Sequence, residues 1–146
     1  MLSFIAFCVL LASAFAGVIW KGGAPERIVA GAFASAFLAS MLVEPATSSR
    51  FDSVMAETLA IDFALLLVLA AVALKAERRW PLVAASLQLI IVLAHLVKWI
   101  DPRLFHLTYM LLTNIWPVLQ IAVLIGGTIS YRRSLARGMS VRSWSD

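Results

Sequence analysis

The sequence predicts an all-α fold: a polytopic membrane protein built as a bundle of five transmembrane helices. Three observations lead there. Hydrophobic residues make up 62% of the 146 residues and charged residues only 14%, against about 45–50% and about 25% in soluble domains. Mean hydropathy is +0.95. The apolar residues fall into five long runs separated by short charged or Gly/Pro-containing stretches. A soluble chain of this size has no interior large enough for that much apolar surface, so lipid must solvate much of it.

The first run, residues 2–20, carries no charge, and about 20 apolar residues span a bilayer core. Ala14-Phe15-Ala16 imitates a leader-peptidase site, but no basic residue precedes the run. Such leaders normally carry one, so a retained helix is expected. Gly22, Gly23 and Pro25 then break the chain, with Pro25 suited to the first turn of the second span, residues 26–43. In that span Gly31, Ser35 and Ala39 recur every fourth residue, as do Ala32, Ala36 and Ser40. Small residues at that spacing let helix backbones approach closely. Ser13 and Gly17 offer a matching groove on the first span. Packing within the chain is expected, with self-association through the same face as the alternative.

Pro45 is expected to end the second span. Ser49 with Asp52 three residues on resembles a capping box, which would start the third helix near Arg50. Its span covers about residues 53–75. After the KAERRWP turn come the fourth span, 82–100, and the fifth, 104–130. Pro117 inside the fifth removes one helical hydrogen bond and kinks the helix. Residues 132–146 form a basic tail, expected to be mobile or to lie on lipid headgroups. Trp20, Trp80, Trp99 and Tyr131 stand at span ends, where aromatic belts form.

Five spans sort all twelve Lys and Arg residues into two groups, nine on one side and three on the other. The larger group is Lys21, Arg27, Lys75, Arg78, Arg79, Arg132, Arg133, Arg137 and Arg142. The positive-inside rule places that side and the C-terminus in the cytoplasm and the N-terminus outside. The net charge of +4 is therefore a topology signal rather than a nucleic-acid footprint. Cys8, the single cysteine, excludes an internal disulfide.

The chemistry-bearing residues gather in the last three spans. Ionisable groups within a membrane are costly and face a bundle interior, a partner or a cavity. Asp62 lies five residues past Glu57, His95 five before Ile100 and Tyr109 five past Leu104, so the three fall at similar depth, about 7.5 Å of helix in each case. On the fourth span Gln88 and His95 share a face, being seven apart. On the fifth, His106, Tyr109, Thr113, Trp116 and Gln120 form a stripe at spacings of three and four. These residues predict an outward-opening polar pocket with Asp62 and His95 as floor. Glu57, Lys98, Asp101, Arg103 and His106 would form its rim. Each has a plainer reading: a hydrogen-bonded pair fixing helix register, a snorkelling lysine, turn residues around Pro102, and an interhelical contact stripe. Two histidines without a third evident ligand do not make a metal or haem site, so no metal and no cofactor is expected. Phosphate-binding loops, zinc-protease signatures and nucleophile elbows are absent from the sequence.

The segments AIDFALLLVLAAVAL and HLVKWIDPRLFHLTYMLLTNIWP and the ERRWP turn resemble small multi-span proteins of bacterial inner membranes, over roughly residues 57–130. That resemblance implies a bacterial inner membrane and carries over no catalytic or binding residue. The expected role is a non-catalytic one: an accessory subunit of a larger membrane complex or a self-associating bundle. Its expected partners are the lipid bilayer and other membrane subunits or itself, with no nucleic acid. The alternative is a carrier or sensor that binds a proton, an ion or a small amphipathic ligand in the outward pocket.

Overall fold

The computed structural model describes residues 2–46, 51–100, 106–140 and 144. It contains five α-helices: α1 (Leu2–Lys21), α2 (Ala24–Ala46), α3 (Phe51–Lys75), α4 (Trp80–Ile100) and α5 (His106–Ala136). Among the described residues α2 to α5 are each long and apolar enough to cross a membrane. The 20 residues of α1 carry a single charge, Lys21 at the C-terminal end.

Helix α3 packs most extensively on α4. Next come α2 on α3 and α4 on α5, then α1 on α5, with lighter contacts of α2 to α1 and to α5. The helices thus close into a ring, α1–α2–α3–α4–α5, with α2 and α5 also touching across it. Alternation in direction brings the C-terminal ends of α1, α3 and α5 and the N-terminal ends of α2 and α4 to one end of the bundle. Lys21, Arg27, Lys75, Arg78, Arg79, Arg132 and Arg133 all stand there, and this is called the basic end below.

Local chemistry sets the turns at that end. The Gly22 amide donates to the Val18 carbonyl at 2.8 Å, closing α1. A Cβ on Gly22 would lie 2.7 Å from that carbonyl oxygen and 2.9 Å from the Glu26 Cβ, so only glycine fits between the two helices. Gly23 caps α2. Its carbonyl accepts from Arg27 at 3.1 Å, and its amide donates to Glu26 Oε2 at 3.1 Å. This is the acidic half of a capping box, a carboxylate reaching back over the first turn.

Two helix C-termini lie beyond the expected span ends. Helix α2 runs through Pro45 to Ala46, because a proline in a last turn only forfeits a bond to the preceding turn. Helix α5 extends to Ala136, about a turn and a half beyond the expected span. It closes in a Schellman motif, with Gly138 at φ 74° and with bonds from Gly138 to the Leu135 carbonyl and from Met139 to the Ser134 carbonyl. The tail is not wholly detached either, since Trp144 packs against the core. The proposed Ser49 cap lies outside the described residues.

The apolar core fills the half of the bundle nearer the basic end. Val18, Val29, Ala30, Phe33, Leu65, Leu69, Val72, Ala84 and Leu124 are buried together. The two small-residue stripes of α2 divide between inside and outside. Ala32 and Ala36 pack on this core. Gly31 and Ser35 are exposed, with Ala39 half-buried, and nothing lies within 4 Å of where a Gly31 Cβ would stand. Gly31 and Ser35 therefore face away from the chain's own helices, while Ala39 is half-buried. The inward stripe is the one offset by a single residue.

Candidate functional site

Two polar assemblies sit inside the bundle. The first joins α3, α4 and α5 in a relay. Gln120 on α5 donates from Nε2 to Gln88 Oε1 at 2.7 Å. Gln88 on α4 donates in turn to Asp62 Oδ1 at 2.9 Å and to the Asp62 carbonyl at 3.1 Å. The other carboxylate oxygen, Oδ2, lies 2.9 Å from His95 Nε2. Gln88 is fully buried, Gln120 and His95 nearly so, and the Asp62 side chain keeps 19% of its surface exposed.

Sequence spacing explains the geometry. Gln88 and His95 are two turns apart on one face of α4, so both meet the same stretch of α3. Asp62 lies between them in height and presents one oxygen to each. Gln120 reaches Gln88 from the far side, on the stripe that continues toward Trp116. The Trp116 indole N–H is buried without a hydrogen-bond partner among the described residues. An amide that both donates and accepts can connect two neighbours, and Gln88 does this between α3 and α5. The arrangement gives Asp62 two close polar neighbours, the Gln88 amide, which reaches both its carboxylate and its backbone carbonyl, and the His95 imidazole.

The predicted site residues separate accordingly. Asp62 and His95 meet directly. Gln88, noted for sharing a face with His95, is the centre of the relay rather than a neighbour of it. Lys98 is half-buried one turn beyond His95, and Glu57 is exposed. The side chains of His106, Tyr109 and Thr113, and Asp101 and Arg103 as whole residues, lie outside the described residues. Among the described residues no three His, Cys, Asp or Glu side chains gather as a metal site would require. Ser13 is exposed and Gly17 half-buried, both on the side of α1 that faces α5.

The second assembly was not anticipated from sequence. At the basic end the fully buried Glu26 carboxylate pairs with Arg78. It also accepts from Trp80 Nε1 at 3.2 Å. The Arg78 guanidinium lies over the Tyr131 ring, 4.2 Å from its centre, a cation–π contact. Its Nε and Nη2 are buried without hydrogen-bond partners among the described residues. The cluster ties α2, the α3–α4 turn, α4 and α5 together at one level. Trp80 and Tyr131 thus turn inward instead of joining an aromatic belt, whereas Trp20 and Trp99 are exposed at helix ends. Gly127 makes room for this. A Cβ there would stand 2.7 Å from the Trp80 ring. The signal available in sequence was the Glu26 position, three residues past Gly23 where a capping carboxylate sits. Its partner, 52 residues away, read only as one of many topology-setting cations.

No family model matches this chain, and no curated protein or solved structure shows detectable similarity to it.

Proposed function

We propose that the chain is a non-catalytic, multi-pass membrane protein that works as a component of a larger membrane assembly, formed either with other subunits or with further copies of itself. The observation that carries this reading is the outward notch of α2. Gly31 and Ser35 are exposed, and the space above Gly31 is open. Large side chains normally cover a lipid-facing surface, and a backbone left bare at Gly and Ser suits the close approach of another helix. The inner polar groups support it in a second way. Gln120, Gln88, Asp62 and His95 satisfy one another, as a clamp holding three helices in register would. We further place the protein in a bacterial inner membrane, with the basic end cytoplasmic.

The test is association. Wild-type protein should run as an assembly after gentle extraction. Gly31→Leu should dissociate it while leaving the fold and its melting transition in place. A Gly31→Leu protein that stays fully associated would remove the notch from the reading.

A second reading rests on the His95–Asp62 pair. Asp62 is only partly covered, and an imidazole beside a carboxylate can hold and pass a proton. In a carrier or sensor of a proton, an ion or a small amphipathic molecule, this pair would be the binding point. Ligand or pH would then shift the melting temperature, and Asp62→Asn would abolish that shift. An unchanged response in Asp62→Asn would end this reading.

A further inference from the structure

A groove of about 540 Å³ runs between α1 and α5 at the basic end. We propose that it is a binding site for an anionic phospholipid, with the phosphate held at its mouth and one acyl chain in its depth. The mouth carries Lys21 from α1 and Arg132 and Arg133 from α5. Among the described residues no Asp or Glu lines the groove, and none of the three cations forms an ion pair. Below the mouth the lining is mostly apolar, with Gly17 and Val18 from α1, Ile125 and Ile129 from α5, and Ser13 farthest down on α1. The one hydroxyl on the α5 wall, that of Thr128, is occupied by the Leu124 carbonyl at 3.0 Å. Nothing lies within 4 Å of where a Gly17 Cβ would stand, so the depth is open.

The dimensions and charges fit one class of molecule. From Lys21 down to Ser13, the deepest lining residue on α1, is eight residues, or about 12 Å of helix. The volume falls within the roughly 300–1,000 Å³ of small-molecule sites. Three cations at one end and hydrocarbon at the other complement an amphiphile with an anionic head. A zwitterionic lipid would fill the same groove but leave the cations without a matching charge. Guanidinium groups bind phosphate oxygens through paired N–H donors, and basic pockets between transmembrane helices hold acidic headgroups. α1 and α5 run parallel here, so both helix C-termini sit at the mouth. Their carbonyl ends would repel an anion, and the three side-chain charges must outweigh them.

The experiment titrates the full chain, in neutral detergent, with phosphatidylglycerol or with phosphatidylcholine of the same acyl chains. Retained lipid is read by native mass spectrometry. A third arm uses glycerol phosphate, the headgroup chemistry without the chains. The expected result is a preference of about tenfold or more for phosphatidylglycerol, with glycerol phosphate failing to compete. Lys21→Gln/Arg132→Gln/Arg133→Gln should abolish the preference. Gly17→Leu, which fills the depth and spares the cations, should weaken retention of the lipid. Lys75→Gln/Arg79→Gln, at the same end but away from the groove, should change nothing. Equal retention of the two lipids would overturn the proposal on wild-type protein alone. So would equal loss in Lys75→Gln/Arg79→Gln, unchanged retention in Gly17→Leu, or competition by glycerol phosphate as effective as by the lipid.

Discussion

Adjacent glycines on α5 show how much a single residue's surroundings decide. Gly126 has nothing within 4 Å of a built Cβ, whereas Gly127 has three Trp80 ring atoms within 2.8 Å. Alanine in a helix interior is favoured over glycine by about 1 kcal/mol, so Gly126→Ala should raise stability by up to that amount. At Gly127 the same gain is overridden. Trp80 is tethered through its indole N–H to Glu26 and cannot swing aside without losing that bond, and overpacking costs about 1–3 kcal/mol. Thermal unfolding of the two variants side by side should show opposite signs, and stabilisation by Gly127→Ala would contradict the packing described here. Glu26 makes a larger claim. Removing one partner of a buried ion pair strands the other and costs about 3–5 kcal/mol. Glu26→Ala leaves Arg78, already holding two unpartnered nitrogens, without its carboxylate. The double variant Glu26→Ala/Arg78→Leu should recover part of that loss, as measured by denaturant or thermal unfolding in detergent.

At the scale of the helices, the relay makes α3, α4 and α5 one unit. Hydrogen bonds between membrane helices contribute about 0.6–2 kcal/mol each. Gln88→Leu removes three at once, two to Asp62 and one from Gln120, and should lower stability by about 2 kcal/mol or more. Gln120→Leu removes one and should cost less. Because the two share a bond, the double variant should cost less than the sum of the singles; strict additivity would mean that they do not interact. The helices themselves were largely legible in the sequence, because an uncharged run of bilayer length has few alternatives. Asp62 and His95 were legible for the same reason, since a polar group in hydrocarbon needs a partner and only a few were at matching depth. Gln88 was noted but its centrality was not. An uncharged amide gives no electrostatic hint of how many neighbours it serves. The Glu26–Arg78 pair was hidden by long separation and by a competing explanation, because each residue already had a satisfactory local reason to exist. The choice between the two small-residue stripes of α2 was illegible too. They differ by about 100° of helix rotation, and both consist only of small residues. What settles it is which one faces Phe33's core, a matter of tertiary packing.

The whole bundle is stratified along its axis. An ion-pair layer closes the basic end, an apolar core follows, and the Gln–Gln–Asp–His relay lies beyond it. The relay fastens the consecutive helices α3, α4 and α5, and the ion-pair layer ties α2 to the α3–α4 turn, α4 and α5, so the bundle is fastened at two levels. What remains outside is a mostly apolar surface interrupted by the Gly31–Ser35 notch, with Leu38 and Leu42 exposed farther along the same helix. In the proposed account the interior is a clamp and the outer face of α2 is where the protein acts, against another transmembrane helix. The measurement that tests this most directly is native mass spectrometry of the protein released gently from its own membrane, wild type beside Gly31→Leu. The account predicts wild-type masses above the 15.9 kDa of one chain, made up by further protein chains, and a single chain for Gly31→Leu. A wild-type protein that emerges as one chain carrying nothing but lipid would contradict it.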